Sequence, residues 1–291
     1  MTDPLFQHIY LQDDQSYNIL KVDRPFFVVP WHLHPEIEIM SIVKGEGSRF
    51  VGDSIENFGA GDLVMIGSNL PHCWKNAAQH FEPNSVCSAE ARVILFKEKT
   101  FGNEFFNIRE LKNMREMFKL AQRGICFNGR TTALIAEKIN EAYLQNGAKR
   151  FISFLDILND LAESKEFRLL SSIGYKTSAF GSDVQRLNKI INYLMENFQQ
   201  PITLDEVAAH AYMSPTSFCR YFKGHTNKTV VRFLNELRIG YARKLLIENK
   251  DNISDIHYIC GFQNASNFYE QFKKIVGCSP LQFRKQHEAK L

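Results

Sequence analysis

The sequence predicts a multi-domain chain of mixed α and β. A front part of short strands closes into a sandwich or barrel, a helical middle follows, and the rear part is all helix. Three observations predict it. Over roughly the first hundred residues, runs rich in Val, Ile and Phe are broken every few positions by glycine-bearing turns. From 104 the apolar residues change to a spacing of three and four. From 183 onward the helical period is interrupted only by capping and turn residues, and one block of pattern returns fifty positions later. A chain of 291 residues is long enough for two ordinary domains.

The front part spans residues 1–103. The run 37–43 stops at Gly45-Glu46-Gly47, 48–51 at Gly52-Asp53-Ser54, 55–58 at Gly59-Ala60-Gly61, and 63–66 at Gly67-Ser68-Asn69. Strands this short and this closely spaced predict a sandwich or barrel. Residues 104–163 read as a helical coupling region. Met114, Met117, Phe118 and Ala121 form one apolar stripe, and Phe151, Phe154, Leu155, Leu158 and Leu161 another. These stripes either cover the β-domain or, over 149–163, pair two copies into a homodimer. The serine- and glycine-bearing stretch 164–182 reads as the linker.

In the rear part, 183–291, Val184, Leu187, Ile190, Ile191, Leu194 and Phe198 make one helical face, which Pro201 ends. Thr203-Leu-Asp-Glu206 is a capping box, in which the Thr oxygen accepts from a free amide and the Glu reaches back. Ser214-Pro215 supplies an N-cap followed by proline at the first helical position, where a missing N–H costs nothing. Two short helices therefore meet across a turn at Tyr212-Met213, a helix-turn-helix. Phe218-x-x-x-Phe222-Lys223 returns as Phe268-x-x-x-Phe272-Lys273, again after a short helix and a turn at Gly261-Phe262. The helix between them, Val230–Glu248, would span about 28 Å. Adjacent major-groove faces of B-DNA lie about 34 Å apart. One rigid rod can thus present two recognition helices to double-stranded DNA. Charge agrees: residues 183–291 carry 15 Lys and Arg against 10 Asp and Glu, whereas the rest of the chain is net acidic.

The stretches 203–223, Arg238-Ile-Gly-Tyr-Ala-Arg-Lys-Leu-Leu246, 256–277 and Ser279-Pro280-Leu-Gln-Phe-Arg284 resemble the DNA-binding domain of the AraC/XylS family of bacterial transcription regulators. The resemblance implies two helix-turn-helix units, base-contacting side chains on their second helices, and RNA polymerase as a partner if the chain activates. With Phe218 and Phe222 turned inward, Thr216 and Arg220 face outward, with Cys219 and Lys223 beside them. Arg220 is the candidate base reader, because its guanidinium matches guanine O6 and N7 bidentately. In the second unit the same geometry exposes Ser266 and Glu270, flanked by Asn267 and Lys273. Glu270 departs from the arginine found there in some family members; it can accept from cytosine N4 or pair with a neighbouring lysine. The first unit is therefore expected to dominate specificity and the second to hold the backbone.

In the front part, His32-Leu-His34-Pro-Glu-Ile-Glu38 followed by Gly45 resembles the first cupin motif. Gly61, Gly67, Pro71-His72 and Asn76 resemble the second. Phe26, Gly67 and Asn69 depart from the usual Gly, Pro and Gly. The resemblance implies a cupin-like jelly-roll barrel that senses an effector. His32, His34 and Glu38 share parity on an extended segment, and His72 closes the set from another strand. Three imidazoles and a carboxylate suit a divalent transition metal such as Mn, Fe, Ni or Zn. A metal-free pocket using the same groups for hydrogen bonds is the alternative, which the motif's departures favour. Trp74 shares parity with His72 and adds an aromatic wall that suits a sugar or another polar-faced small molecule.

The expected function is a cytoplasmic, effector-controlled transcription regulator and not an enzyme. A metal-dependent cupin oxygenase or isomerase fused to a DNA-binding domain is the alternative. No run of apolar residues is long enough for a membrane-spanning helix, and no secretory signal opens the chain. Six cysteines stand far apart with no C-x-x-C pair, which reads as reduced thiols.

Overall fold

Alternating residues in the front part supply two sheets with a core between them. In the computed structural model the strands are β1 (Tyr17–Arg24), β2 (Ile37–Lys44), β3 (Gly47–Val51), β4 (Ser54–Phe58), β5 (Leu63–Ile66), β6 (His72–Asn76), β7 (Ala89–Phe96), β8 (Ile125–Phe127) and β9 (Phe167–Leu169). The structure describes residues 16–27, 31–76, 80, 88–173, 175, 182–248 and 251–288. The larger sheet runs β1-β7-β2-β5-β8-β9, antiparallel throughout, and the smaller runs β4-β3-β6. Met40, Ile42, Val64, Ile66, Ala91, Val93 and Leu95 of the larger sheet meet Val51, Phe58 and Trp74 of the smaller in one core. This is the antiparallel cupin architecture that the turn spacing and motifs predict.

The other face of the larger sheet is equally apolar. Ile37, Ile39, Leu63, Met65, Ile94 and Phe96 lie under the helices α1 (Lys112–Ala121), α2 (Gly129–Tyr143) and α3 (Gly147–Glu163). Met114, Met117 and Phe118, then Ile135 and Ile139, then Phe154, Ile157, Leu158 and Leu161 close over it. The α3 stripe is therefore buried within the chain. Phe154 and Leu158 have no exposed surface, so a homodimer seam through them is excluded.

Two sequence expectations are corrected. The stretch 104–163 is not helical throughout, because β8 interrupts it and pairs with β5. The stretch 164–182 is not all linker, because β9 pairs with β8. Three-residue strands are too short to show a period; they form because they extend the open edge of a sheet already present. The first compact unit accordingly comprises Met1–Ser54 and Phe58–Thr177, and the second Ile55–Asn57 and Ser178–Leu291.

The second unit is helical: α4 (Ser182–Asn197), α5 (Leu204–His210), α6 (Pro215–Thr226), α7 (Val230–Glu248), α8 (Ile253–Ile259), α9 (Ala265–Val276) and α10 (Pro280–Glu288). The capping box forms as predicted, Glu206 N donating to Thr203 Oγ1 at 3.3 Å and Thr203 N to Glu206 Oε2 at 2.7 Å. Leu187, Ile190, Ile191 and Leu194 of α4 are buried; the side chain of Val184 lies outside the described residues. α7 joins the two helix-turn-helix pairs. Its Phe233 meets Phe222 edge-on at 5.3 Å, and its Arg238 donates to Phe198 O and Gln200 O beyond the end of α4. No helix among the described residues is long and apolar enough to cross a membrane.

Leu158→Ala should lower the unfolding free energy of the chain by about 2–5 kcal/mol, the cost of a cavity under a closed helix layer. Urea denaturation checks this. A loss below about 0.5 kcal/mol, as for exposed positions, would contradict the covering role.

Candidate functional site

Four residues from the two sheets of the sandwich and the chain leading into β2 converge. His32 sits in an isolated bridge with His72, its N–H donating to His72 O at 3.0 Å and the His72 N–H returning to His32 O at 2.8 Å. His34 follows on the way into β2, where Glu38 is the second residue. His72 opens β6. One ligand atom from each of His32, His34, Glu38 and His72 lies within 4.8 Å of all the others. The shared side predicted from parity is thus realised, although the chain bends at Pro35 and Glu36 before the strand begins.

The loop after β5 fixes this arrangement. Asn69 N donates to His34 O at 2.7 Å and Ser68 Oγ to Pro35 O at 2.7 Å. Here the motif's departures find physical reasons. A Cβ at Gly67 would lie 2.6 Å from the backbone of Ala121, so proline cannot stand there. Asn69 has φ +58°, a left-handed conformation that Asn tolerates in place of Gly. These two departures, Gly67 and Asn69, lie in the supporting loop and leave the donor set intact, so they do not by themselves favour the metal-free version.

The rings are oriented by the backbone. His72 Nδ1 lies 2.7 Å from Leu70 O and must donate to it, which leaves Nε2 as a lone pair in the neutral ring. That Nε2 is buried without a hydrogen-bond partner, 3.5 Å from Glu38 Oε2. In the neutral ring that lone pair would face the carboxylate oxygen, and a proton or a metal ion between the two satisfies both. His34 approaches the same carboxylate oxygen, Nε2 to Oε2 3.2 Å, with its Nδ1 3.2 Å from Glu36 O. Burial alone would lower the pKa of His34. Hydrogen bonds to Glu36 and Glu38, and the charges of both, win and raise it to about 9. Burial would raise that of Glu38, but His34 and His72 hold it well below the usual carboxylate range. Without a metal the site is an imidazolium–carboxylate pair; a divalent transition metal fits the same three nitrogens and one oxygen by displacing the proton.

Trp74 stands edge-on to His72 at 5.7 Å, and its Nε1 is buried with no hydrogen-bond partner. The sequence reading missed four supporting groups, Glu36 with Lys97 and Arg49 with Asp62. Glu36, 2% exposed, places Oε2 3.4 Å from His34 Nδ1 and Oε1 3.1 Å from Lys97 Nζ. Arg49 pairs in register with Trp74 and is fully buried, its Nη1 2.7 Å from Asp62 Oδ2. A lone arginine at an inward position of an apolar strand is the signal that could have found it.

In the second unit, Phe218 and Phe222 of α6 and Phe268 and Phe272 of α9 are buried. All eight side chains predicted to face DNA are exposed: Thr216, Cys219, Arg220 and Lys223, and Ser266, Asn267, Glu270 and Lys273. Ser214 caps α6 through Ser217 N, and Asn264 caps α9 through Ser266 N and Asn267 N. Both helices end on a left-handed residue, Asn227 and Gly277. Tyr269, exposed where α6 has Cys219, was not anticipated.

Two family models match the chain, a cupin domain over residues 25–80 and a helix-turn-helix domain over residues 207–286. Over 262 residues the chain is 22% identical to the uncharacterized HTH-type transcriptional regulator YdeC of Bacillus subtilis, covering 89% of this chain and 87% of that protein. It is 23% identical to the HTH-type transcriptional activator RhaR of Mannheimia succiniciproducens over 98% of each chain. A shorter match to the HTH-type transcriptional activator RhaS of Escherichia fergusonii reaches 33% over 106 residues, 36% of this chain and 38% of that protein.

The cluster has a pH signature. Protonated His34 stabilises the fold fully below its ordinary value near 6.5, and this contribution is lost as pH rises through about 9. Ionised Glu38 contributes above its ordinary value near 4.5 and loses that as pH falls toward its depressed value. In chelator-treated protein the melting-temperature difference between wild type and His34→Gln should shrink between about pH 6.5 and 9.5. A difference independent of pH over that window would mean that His34 is not protonated in the fold.

Proposed function

We propose a working scheme for this chain, which is an effector-controlled, DNA-binding transcription regulator of the AraC type with an N-terminal cupin domain. The observation that carries the scheme is that two of the buried polar atoms without hydrogen-bond partners in the first unit, His72 Nε2 and Trp74 Nε1, stand side by side at the histidine cluster. Such groups are costly unless something satisfies them. In this reading His32, His34, Glu38 and His72 hold a divalent transition metal. The metal would supply a Lewis-acidic position for an oxygen or nitrogen of the effector. Trp74 offers a ring face and an N–H to the same molecule, which suits a sugar or another polar-faced compound. Regulation, not catalysis, is the output, and the chain works in the cytoplasm.

On the DNA side, Arg220 reads a base and Lys223 and Lys273 neutralise phosphates. Glu270, in the place of Arg220 one unit on, either accepts from a cytosine or reads nothing, so the first unit sets specificity. The chain's binding to its own promoter region should weaken steeply with salt, since neutralised phosphates release counterions.

Two outcomes are expected. Protein purified without added metal should carry about one equivalent of a transition metal, and a chelator should lower its melting temperature, because a bound ion stabilises only the folded state. Metal-free protein indifferent to chelator would assign effector recognition to hydrogen bonds alone. In a binding-site selection, Arg220→Ala should cost about 1–3 kcal/mol and relax one base pair, whereas Lys223→Ala should weaken all sequences alike. A uniform loss for Arg220→Ala would move that residue to the DNA backbone.

A further inference from the structure

The end of β3 touches both the histidine cluster and the chain that leaves the first unit. Val51 stands opposite His72 in the β3–β6 register. Both backbone groups of His72 are taken by His32, so Val51 and His72 form a non-hydrogen-bonded pair, the kind whose side chains lie closer. The next residue, Gly52, donates to Pro71 O at 2.8 Å.

Val51, Gly52 and the next residue, Asp53, grip the segment after β9. Ser171 Oγ donates to Val51 O at 3.0 Å. Asp53 accepts from Ser172 N at 2.8 Å and from Ser172 Oγ at 2.5 Å. Gly52 has φ +54°, and a Cβ there would stand 2.2 Å from Ser171 Oγ. From the other side Arg123 Nε and Nη2 both donate to Ser171 O, and Ser171 N returns to Arg123 O at 2.7 Å. A Cβ at Gly124 would lie 2.6 Å from Val51 Cγ1. Ser171 is 1% exposed and Asp53 8%. A stretch expected to be free linker is thus bolted down within a few residues of the unit's end.

We propose that this clamp, Asp53 on Ser172 with Ser171 seated on Val51 and Gly52, carries the state of the His72 site to the connection with the helix-turn-helix domain. The proposal rests on the reading of the histidine cluster as the sensing site. A ligand that turns the His72 ring presses on Val51. Val51 has no room to give, because Gly124 packs on its side chain and Ser171 on its carbonyl. The segment therefore has two states, seated or released, and release adds free length to the connection. Asp53, Ser171 and Ser172 are positioning residues: they touch neither the ligand nor DNA.

The test uses the full chain and a labelled duplex enriched by that chain from a random pool. His72→Ala, Asp53→Ala and the double variant are compared by operator affinity and by hydrogen exchange at the amides of Ser171 and Ser172. Ser172→Ala, which keeps the Asp53 bond to the amide, serves if Asp53→Ala melts abnormally. His72→Ala should alter exchange at both amides and shift operator affinity by a factor on the order of 5–150, the usual range of coupled sites. In the Asp53→Ala background the same substitution should shift affinity no further. Metal content should be unchanged in Asp53→Ala, which separates lost transmission from lost binding. Additive effects overturn the clamp, as does a shifted affinity with unaltered exchange at the two serines; in that second case the sensing reading stands. If His72→Ala leaves operator affinity unchanged, the sensing reading fails and the clamp fails with it.

Discussion

A carboxylate buried inside a sandwich must be neutralised where it lies, and the front unit is organised around that demand at Glu38. The residue sits in β2 between β5 and β7, with 8% of its surface exposed. An unpaired charge there would cost several kcal/mol. Two imidazoles meet its Oε2, and the other nitrogen of each lies against a backbone carbonyl, of Glu36 and of Leu70. Backbone thus aims the rings, and the loop 67–70 holds the backbone. Glu36 and Lys97 extend the alternation of charge outward. Such a pre-set array is what a cation or a polar effector needs, because little remains to be ordered on binding.

The position of Glu38 has a consequence for the rest of the unit. β2 is buried on both faces, so its outward residues Ile37 and Ile39 require a cover as apolar as the interior. α1, α2 and α3 provide it, and in doing so commit the Phe154, Leu158, Leu161 stripe to the chain's own core. The sheet edge is met in a similar way: β8 and β9 continue it, and the segment after β9 is held by Arg123 and Asp53. Helices and edge strands are therefore one structure with the cupin sheets.

The rear unit shows a repeated frame with diverged surfaces. Phe218, Phe222 and Phe233 have their counterparts in Phe268, Phe272 and Phe283, all buried, and side-chain caps open α6 and α9 alike. Packing tolerates little change at such positions. The outward faces carry Cys219 and Arg220 in one copy and Tyr269 and Glu270 in the other, where no core constrains the choice.

What the sequence determined by itself were the features carried by local rules. The capping box at Thr203, the Ser214-Pro215 start, the fifty-residue repeat and the bounds of α7 depend on short-range hydrogen bonds and helical period, which are written in neighbouring residues. The exposed faces of α6 and α9 follow from the same period. The histidine cluster was legible as a set because a motif places its members, and parity put three of them on one side. Tertiary structure alone decided the rest. β8 and β9 have three residues each and become strands only because a sheet edge awaits them. The stripe on α3 reads the same whether it meets a sheet or another copy, and the burial of Leu158 is what separates the two. Arg49, Glu36 and the Asp53–Ser172 clamp join residues distant in sequence or hidden in unremarked positions; their roles come from long-range contacts, which no local pattern encodes.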